Sequence, residues 1–556
     1  MTEVRKKMLE KFCVGLVRIL LGGILFFLTL LSAVVTCRVY GGSEIVQYGR
    51  DSLFLHLFFG AGVIGLTVFY RRRKERKCRK NQWLLLSAAA YLFWILLVPS
   101  WGGSDSHQCM ASAQGLLQGD FSAWEPVAYS YGTAEGPLGY AYTYPSQNGL
   151  ILYMAVLVFF FGDAAYAGFQ ILNIGFFILG IVSLQRMTVR GNERCSLLLW
   201  MACCLPFSFY ILFVYGTMPG FGLSCLAMAR LVRYVEEGRG RDFWIGAAAV
   251  AAAVILKSNY EIVLVALFLY LASSGVFRRK ARLLVAAVLL ITVYVIGNRG
   301  IQTGISSVTG RTVSDGAPMI AWVQMGLEES KRGPGWYNGY QVKLFQKADG
   351  DADLAAAWAQ ADLRKTISDM AEEPAKAADF FVRKIESIWA EPTFQSLWIQ
   401  EVGNTSWAEE SPPWELFKEE GGLNRLYVFA ANLLQTFVYA MACVWVIAGM
   451  SAKGSRSKHV LMKRTWEKRI EAEKTVKAVK KQGMETVWER QERGEPDRWG
   501  MLLPGIVFIG GFLFHLVWEA KGQYSVVYFM LLLPYAYLGM ERVADVFLDV
   551  TGAGKE

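Results

Sequence analysis

Long runs of apolar residues recur along almost the entire chain, and they constrain its fold more than any other feature. Of its 556 residues, 54% are hydrophobic and only 19% are charged, whereas soluble domains carry about a quarter charged residues. Runs of roughly 20 apolar residues match the thickness of a bilayer, in which only helices or closed barrels satisfy the backbone. Because the runs lack the alternation of barrel strands, we predict an all-α polytopic membrane protein.

About twelve transmembrane helices are expected from the lengths of these runs. The basic start "MTEVRKKMLEKF" precedes an apolar run that is too long for a signal-peptide core, so the first span is expected to be retained. The predicted spans are residues 13–36, 52–70, 82–99, 164–187, 195–215, 217–235, 242–257, 259–274, 280–298, 425–450, 500–518 and 523–541.

The positive charges predict the orientation of these spans. The formal net charge is +10, which in a soluble protein would suggest nucleic acid. Here Lys and Arg occupy alternate loops, the pattern typical of cytoplasmic loops. We therefore expect both termini of this multi-pass chain in the cytoplasm and no nucleic-acid partner. The basic loops are 71–80, 185–194, 236–242, 277–282 and 451–499.

The short apolar run 149–162, "GLILYMAVLVFFFG", breaks this alternation if it is counted as a span. It has about fourteen residues, a length typical of re-entrant or interfacial helices. Treating it as a helix in the outer interface keeps every later Arg-rich loop inside. The outer loops are then 37–51, 100–163, 216–220, 257–259, 299–424 and 519–523.

The longest polar segments divide the chain into modules. Within the outer segment, 350–388 predicts two amphipathic helices divided near Pro374. The basic inner segment 451–499 is either a helix at anionic lipid headgroups or a solvated charged hairpin. The predicted modules are an N-terminal transmembrane module 1–298, an extracytoplasmic insert 299–424, a transmembrane helix 425–450, a cytoplasmic insert 451–499, and a C-terminal hairpin with its tail 500–556.

The outer loop 100–163 combines carboxylates with many aromatic residues. Ordered loops of this length are usually functional, and sugars stack their C–H faces on aromatic rings while their hydroxyls bind carboxylates. A solvated acid at a helix end is the alternative for any single carboxylate. The candidate substrate-contacting residues of this loop are Asp105, His107, Asp120, Tyr144 and Gln147.

Two short outer turns carry further candidates. Lys257, in "LKSNYEI", is either a cation for a lipid phosphate or a lysine that snorkels to the headgroups. The turn in "HLVWEAKGQYSVVYF" holds Glu519, Lys521, Gln523 and Tyr524. Ionisable residues at the rim of a membrane bundle are functional candidates, although anchoring at the headgroups would also use them.

Two aromatic outer stretches, 317–340 and 389–398, either cap a site or form the core of the insert. Cys37 and Cys109 are expected to face outside as free thiols.

The sequence contains no P-loop, H-E-x-x-H or G-x-S-x-G motif in a matching context. No cofactor is therefore expected, and a divalent metal would require that folding bring Asp105 and Asp120 together.

The chain resembles the C-type (GT-C) integral-membrane glycosyltransferases, and within them the bacterial protein mannosyltransferase and aminoarabinose transferase group. The resemblance rests on "SDSHQCMASAQGLLQGDFSAW" after a span, on "YPSQNGLILYMAVLVFFFG", on a Lys at a turn between middle spans, and on "HLVWEAKGQYSVVYFMLLLPYA". These motifs cover both ends of the chain. Gln523 stands where the family often has Arg, so Lys521 would have to replace that phosphate ligand.

The resemblance implies an enzyme of the bacterial plasma membrane that moves a sugar from a polyprenyl-phosphate carrier to an acceptor hydroxyl at the outer face. It implies that Asp105 is the essential acid, which would act as general base. Lys257 and Lys521 would stabilise the departing phosphate, and attack opposite to it would invert the anomeric centre. The acceptor would be an envelope glycan, a lipid or a protein, and membrane lipids would surround the spans.

Three other functions fit the same features. A flippase or transporter of lipid-linked sugar would also need many spans, but it predicts internal repeats and charges near the midplane. A polysaccharide polymerase or ligase would use the same lipid carriers and outer loops. A scaffold without catalytic activity would tolerate replacement of Asp105 by Asn.

Overall fold

The computed structural model describes residues 3–40, 44–72, 80–98, 103–130, 137–188, 206–403, 412–419, 421–450 and 499–551. The predicted span 195–215 lies largely outside these described residues, and so does almost all of the basic segment 451–499.

The described chain is mainly helical, and one short hairpin interrupts the helices. From the N-terminus to the end of the first outer loop, the elements are α1 (Glu3–Val34), β1 (Val35–Tyr40), β2 (Ile45–Arg50), α2 (Leu53–Arg72), α3 (Lys80–Leu97), α4 (Asp105–Gln118), α5 (Tyr140–Thr143) and α6 (Asn148–Phe161). The middle helices are α7 (Ala165–Thr188), α8 (Pro206–Leu212), α9 (Thr217–Glu237), α10 (Gly240–Leu256), α11 (Glu261–Arg278) and α12 (Ala281–Thr309). The insert and the C-terminal part contain α13 (Met319–Gly326), α14 (Tyr340–Lys347), α15 (Ala352–Glu372), α16 (Pro374–Trp389), α17 (Ser396–Gly403), α18 (Pro412–Glu415), α19 (Gly422–Ala448), α20 (Leu503–Val517) and α21 (Gly522–Val550).

Seven helical stretches among the described residues are long and apolar enough to cross a membrane. They are Met8–Val34, Pro145–Thr188, Ser258–Arg278, Ala281–Thr309, Gly422–Ala448, Gly500–Val517 and Gly522–Val550, and two shorter apolar helices cover Leu53–Phe69 and Gln82–Leu97. These helices bear out an all-α polytopic membrane protein. By length and composition, the described residues contain seven such helical stretches, which is fewer than the twelve predicted spans.

Two of the remaining predicted spans, 217–235 and 242–257, do form helices. The second of them, α10, has 17 residues, which is at the lower limit for crossing a bilayer. The first, α9, packs against both α7 and α10. Because much of its surface contacts protein rather than lipid, α9 tolerates more polar residues than an isolated span.

Large apolar side chains are exposed on the outer surfaces of the long helices. Phe58 is 72% exposed, Leu96 75% and Phe159 72%. Contiguous exposed apolar surface is rare on soluble proteins and is the expected exterior of a helix bundle in lipid. The main core lies between the long helices, where their buried apolar side chains pack against one another.

The run predicted as an interfacial helix is a separate helix, α6, of 14 residues. It ends at Gly162, whose φ of 53° is left-handed, a conformation that glycine adopts at little cost. The chain then enters α7, and the Phe161 ring lies against Gly168. The break divides the apolar stretch as predicted, while the depth of α6 in the membrane stays a prediction.

The outer segment 37–51, predicted as a loop, is largely an antiparallel hairpin. Val35 pairs with Arg50, and Tyr40 pairs with Ile45. The β-branched residues of "VTCRVY" and "IVQYGR" on either side of Gly-Gly are a hairpin signal that the hydropathy of the neighbouring spans obscures.

The insert begins later than predicted, because α12 continues through Arg299 and Gln302 to Thr309 instead of ending near 298. Its outer end packs on the first outer loop through Ile305, which is 1% exposed. The two amphipathic helices predicted for 350–388 are α15 and α16. Pro374 is the first residue of α16, a position where the missing N–H costs no hydrogen bond.

Cys37 and Cys109 are free thiols, as predicted, and both side chains are buried.

Candidate functional site

A cavity of about 410 Å³ lies where the first outer loop, two short turns and the insert meet. Seven of the predicted site residues line it: Asp105, Tyr144, Gln147, Lys257, Glu519, Lys521 and Tyr524. They come from segments that are far apart in sequence and that all lie at helix ends. The fold therefore gathers most of the sequence candidates around one space, although their chemical roles stay predictions.

Asp105 is the first residue of α4, and its carboxylate lines the cavity. The N-terminal end of a helix favours a negative charge through the helix dipole. The preceding residue, Ser104, has a left-handed φ of 51°, a conformation that costs a non-glycine residue free energy and is often found at functional sites. The backbone entering α4 is thus held in a conformation that the local sequence does not favour.

His107 and Asp120 do not line the cavity, in contrast to the prediction for substrate ligands. His107 is exposed because two positions along a helix turn a side chain by about 200° away from Asp105. Asp120 follows the end of α4, where its Oδ1 accepts a hydrogen bond of 2.9 Å from the Ser122 N–H. The helix of 14 residues separates Asp120 from Asp105, so these two carboxylates do not form a metal site.

Lys257 caps the C-terminal end of α10 and is directed into the protein. Its side chain is buried, and Nζ donates a hydrogen bond of 2.8 Å to Thr217 Oγ1. Burial and the nearby Lys521 lower the pKa of Lys257 to about 7, although Asp105 opposes this shift. Nζ also lies 4.9 Å from the Tyr215 ring centroid and 5.7 Å from that of Tyr524, distances at which a ring face attracts a cation. Lys257 therefore does not snorkel to the headgroups, the alternative left open by its sequence.

The turn between α20 and α21 places a carboxylate and a cation side by side. Tyr524 OH donates a hydrogen bond of 3.1 Å to Glu519 Oε2, and Lys521 Nζ lies 3.8 Å from Glu519 Oε1. Burial raises the pKa of Glu519. Burial also opposes the charge of Lys521, but Glu44, Glu519 and Asp105 outweigh it and raise the pKa of this ammonium. Asp105 and the turn thus face each other within electrostatic range.

Glu44 contacts this turn through Lys521. Glu44 was not among the site residues predicted from the sequence. Glu44 lies in the hairpin turn with a left-handed φ of 60° and is 1% exposed. Its carboxylate lies 3.7 Å from Lys521 Nζ, pairs with Arg332, and accepts a hydrogen bond of 2.9 Å from Gln395 Nε2. A predicted hairpin at 35–50 would have placed a carboxylate, Glu44, in its turn. Its partners Lys521 and Arg332 could not have been predicted, because they come from loops that are distant in sequence.

Lys384 of α16 supports the same turn from the insert. Nζ donates hydrogen bonds to the carbonyls of Leu516 at 3.0 Å, Trp518 at 2.8 Å and Gly326. An ammonium has three N–H donors, so it satisfies three carbonyls at the ends of α20 and α13 together.

The aromatic stretches of the insert serve both of the purposes left open by their sequence. Trp322, Tyr337 and Trp398 line the cavity, whereas Trp336 and Trp389 are buried in the core at 0% and 1% exposure. The stretches thus cap the site and also form the core beneath it.

The cavity combines four acidic residues, Asp105, Glu261, Asp315 and Glu519, with two lysines and several aromatic rings around one space. No group of three or more His, Cys, Asp and Glu suited to a metal occurs in the described part of the chain.

Comparisons of the sequence with protein-family models and curated proteins, and of the fold with solved structures, find no match.

Proposed function

We propose that the protein transfers a sugar from a polyprenyl-phosphate carrier to an acceptor hydroxyl at the outer face of a bacterial plasma membrane. The observation that carries this proposal is that Asp105, Lys257 and Lys521, which come from three distant segments, line one cavity. Asp105 beside two lysines suits a reaction in which the acceptor hydroxyl loses a proton and the donor releases a phosphate.

The residues of the cavity divide between the two ends of such a reaction. Asp105 accepts the proton of the acceptor hydroxyl, whose oxygen attacks the anomeric carbon. The bond from that carbon to the phosphate oxygen breaks, and its electron pair leaves with polyprenyl phosphate. Lys257 and Lys521 stabilise the charge that develops there. Attack opposite to the leaving phosphate inverts the anomeric centre.

The carrier lipid has an apolar path to this cavity. Phe213 and Ile262 line the cavity beside the polar groups, and Ile262 belongs to α11, which is apolar like its neighbour α10. A polyprenyl tail can therefore lie along these helices in the bilayer while its phosphate reaches the lysines.

A flippase fits the position of the charged groups less well. Asp105 begins α4, Lys257 follows α10, and Glu519 follows α20. Transporters bind their substrates near the bilayer midplane, typically at interrupted helices. Charged groups gathered at helix ends favour a reaction at one face instead.

The proposal is tested with purified protein in nanodiscs and a panel of radiolabelled polyprenyl-phosphate sugars. Transfer to membrane acceptors is compared for the wild type, Asp105→Asn, and the control Asp163→Asn, an exposed carboxylate outside the cavity. Loss of a general base should slow transfer about 10²- to 10⁴-fold, while the control retains wild-type rates. Equal rates in all three proteins would remove Asp105 from the mechanism. Movement of lipid-linked sugar across vesicles without any transfer would favour the flippase.

A further inference from the structure

Four aromatic side chains that line the cavity contact one another in series, and we call them the aromatic wall: Tyr144, Trp322, Phe514 and Trp518. The Trp322 and Trp518 rings are parallel within 2°, and their centroids are 6.1 Å apart. Phe514 stacks on Trp518 at 4.9 Å. Tyr144 meets Trp322 edge-on at 6.1 Å. The wall thus extends from α20 at the membrane to α13 in the insert.

The two indoles of the wall differ from the tryptophans of the core. Trp336, Trp389 and Trp414 are at most 1% exposed, whereas Trp322 and Trp518 keep part of their surface accessible. Because both line the cavity, a ligand in the cavity can contact the part of each indole that their stacking on each other leaves open.

Buried oxygens that lack a hydrogen bond line the same cavity. Within the described chain, Ser106 Oγ, Gln341 Oε1 and Glu519 Oε1 are buried without a hydrogen-bond partner. Buried polar atoms without partners are uncommon because they forfeit the hydrogen bonds made in water. Each of these oxygens can accept a hydrogen bond from a hydroxyl group. The cavity therefore offers several acceptors beside the ring faces.

We infer that the aromatic wall binds a sugar ring of the acceptor, so that the sugar of the donor is transferred to a carbohydrate rather than to a protein or a simple lipid. This inference rests on the proposed function, because it concerns the second substrate of the same cavity. A sugar ring presents C–H groups to the wall and hydroxyls to Ser106 and Gln341. The lysines on the remaining side keep the carrier phosphate.

The other acceptor classes match these groups less well. An acyl chain would cover the rings but would leave the buried oxygens without donors. A peptide acceptor would bring its own backbone groups, and the described β-strands, β1 and β2, do not line the cavity to pair with them. Trp322 belongs to the insert, which faces away from the bilayer in the proposed orientation, where a glycan would arrive.

Direct binding tests the inference without requiring turnover. Saturation-transfer NMR is recorded on the full chain in nanodiscs with neutral disaccharides of glucose, mannose and galactose. Wild type should transfer saturation to the ring C–H protons of at least one disaccharide. Trp322→Leu should lose this signal, and Trp322→Phe should retain part of it. Trp244→Leu is the matched control, because Trp244 is 57% exposed and lies outside the cavity.

Two results would overturn the inference: no saturation of any disaccharide by the wild type, or an undiminished signal in a folded Trp322→Leu variant. Transfer assays separate it from the proposed function. With a glycan acceptor, Trp322→Leu should raise the acceptor KM roughly three- to tenfold, the range for loss of one aromatic contact. Transfer to a Ser/Thr peptide but to no glycan would refute the inference alone. Disaccharide binding that depends on Trp322, without consumption of any donor, would refute the proposed function alone.

Discussion

Removal of the Glu44 carboxylate should destabilise the protein because it leaves two cations without their shared counter-ion. Glu44 is 1% exposed, and the Lys521 and Arg332 side chains are 15% and 29% exposed. One ion pair near 4 Å contributes about 4 kcal/mol before desolvation at an effective dielectric constant of 20. Breaking a buried pair costs about 3–5 kcal/mol. Since water can reach Arg332, we expect Glu44→Ala to lose about 3 kcal/mol.

Two further substitutions separate the charge from the backbone. Glu44→Gln keeps an oxygen that can accept the hydrogen bond from Gln395 and removes only the charge, so it should cost about 2 kcal/mol. Glu44→Gly also removes the carboxylate, but it relieves the left-handed φ of 60°, which costs a non-glycine residue about 1 kcal/mol or more. It should therefore be less destabilising than Glu44→Ala.

The free energy of unfolding is measured by SDS titration in mixed micelles, with tryptophan fluorescence as the signal. Glu373→Ala is the matched control, because Glu373 forms a surface pair with Lys376 and its side chain is 56% exposed. Exposed pairs contribute about 0–1 kcal/mol. If Glu44→Ala costs no more than this control, Glu44 does not support the turn as described.

Three other predictions concern the surroundings of the site. Although burial opposes it, Glu44 raises the pKa of Lys521. A lysine is charged only below its pKa, and Glu44→Gln should lower the pKa of Lys521. As the pH rises, the variant should therefore lose its affinity for the donor at a lower pH than the wild type, when the donor KM is measured between about pH 7 and 10. Lys384→Met leaves three carbonyls without a donor and should cost about 3 kcal/mol in the SDS titration; a cost below that of Glu373→Ala would contradict its supporting role. Gly149→Ala should reduce the yield of folded protein, because a Cβ would lie 2.2 Å from the Ile255 carbonyl oxygen, whereas Gly175 has nothing within 4 Å and its alanine variant should be neutral. Equal yields for the two glycine variants would refute that packing.

Local sequence patterns predicted the helices that positioned the site. Hydropathy identified the membrane class, and Pro374 marked the boundary between α15 and α16 because proline cannot donate a backbone hydrogen bond. Lys257 and Lys521 were found because charges beside apolar runs are conspicuous in sequence. The end of α12 was missed, since its last turns carry polar residues and are held by packing on the first outer loop.

The sequence by itself determined that apolar helices dominate the chain and that most candidate charged residues lie near their ends, because hydropathy and charge act over a few neighbouring positions. The tertiary structure alone decided which of those ends meet. It excluded His107, brought Lys521 and Arg332 to the carboxylate of Glu44, and aligned Trp322 with Trp518. The physical reason is that ion pairing and ring stacking depend on distances of a few ångströms between segments that are far apart in sequence. No local period along the chain specifies such distances.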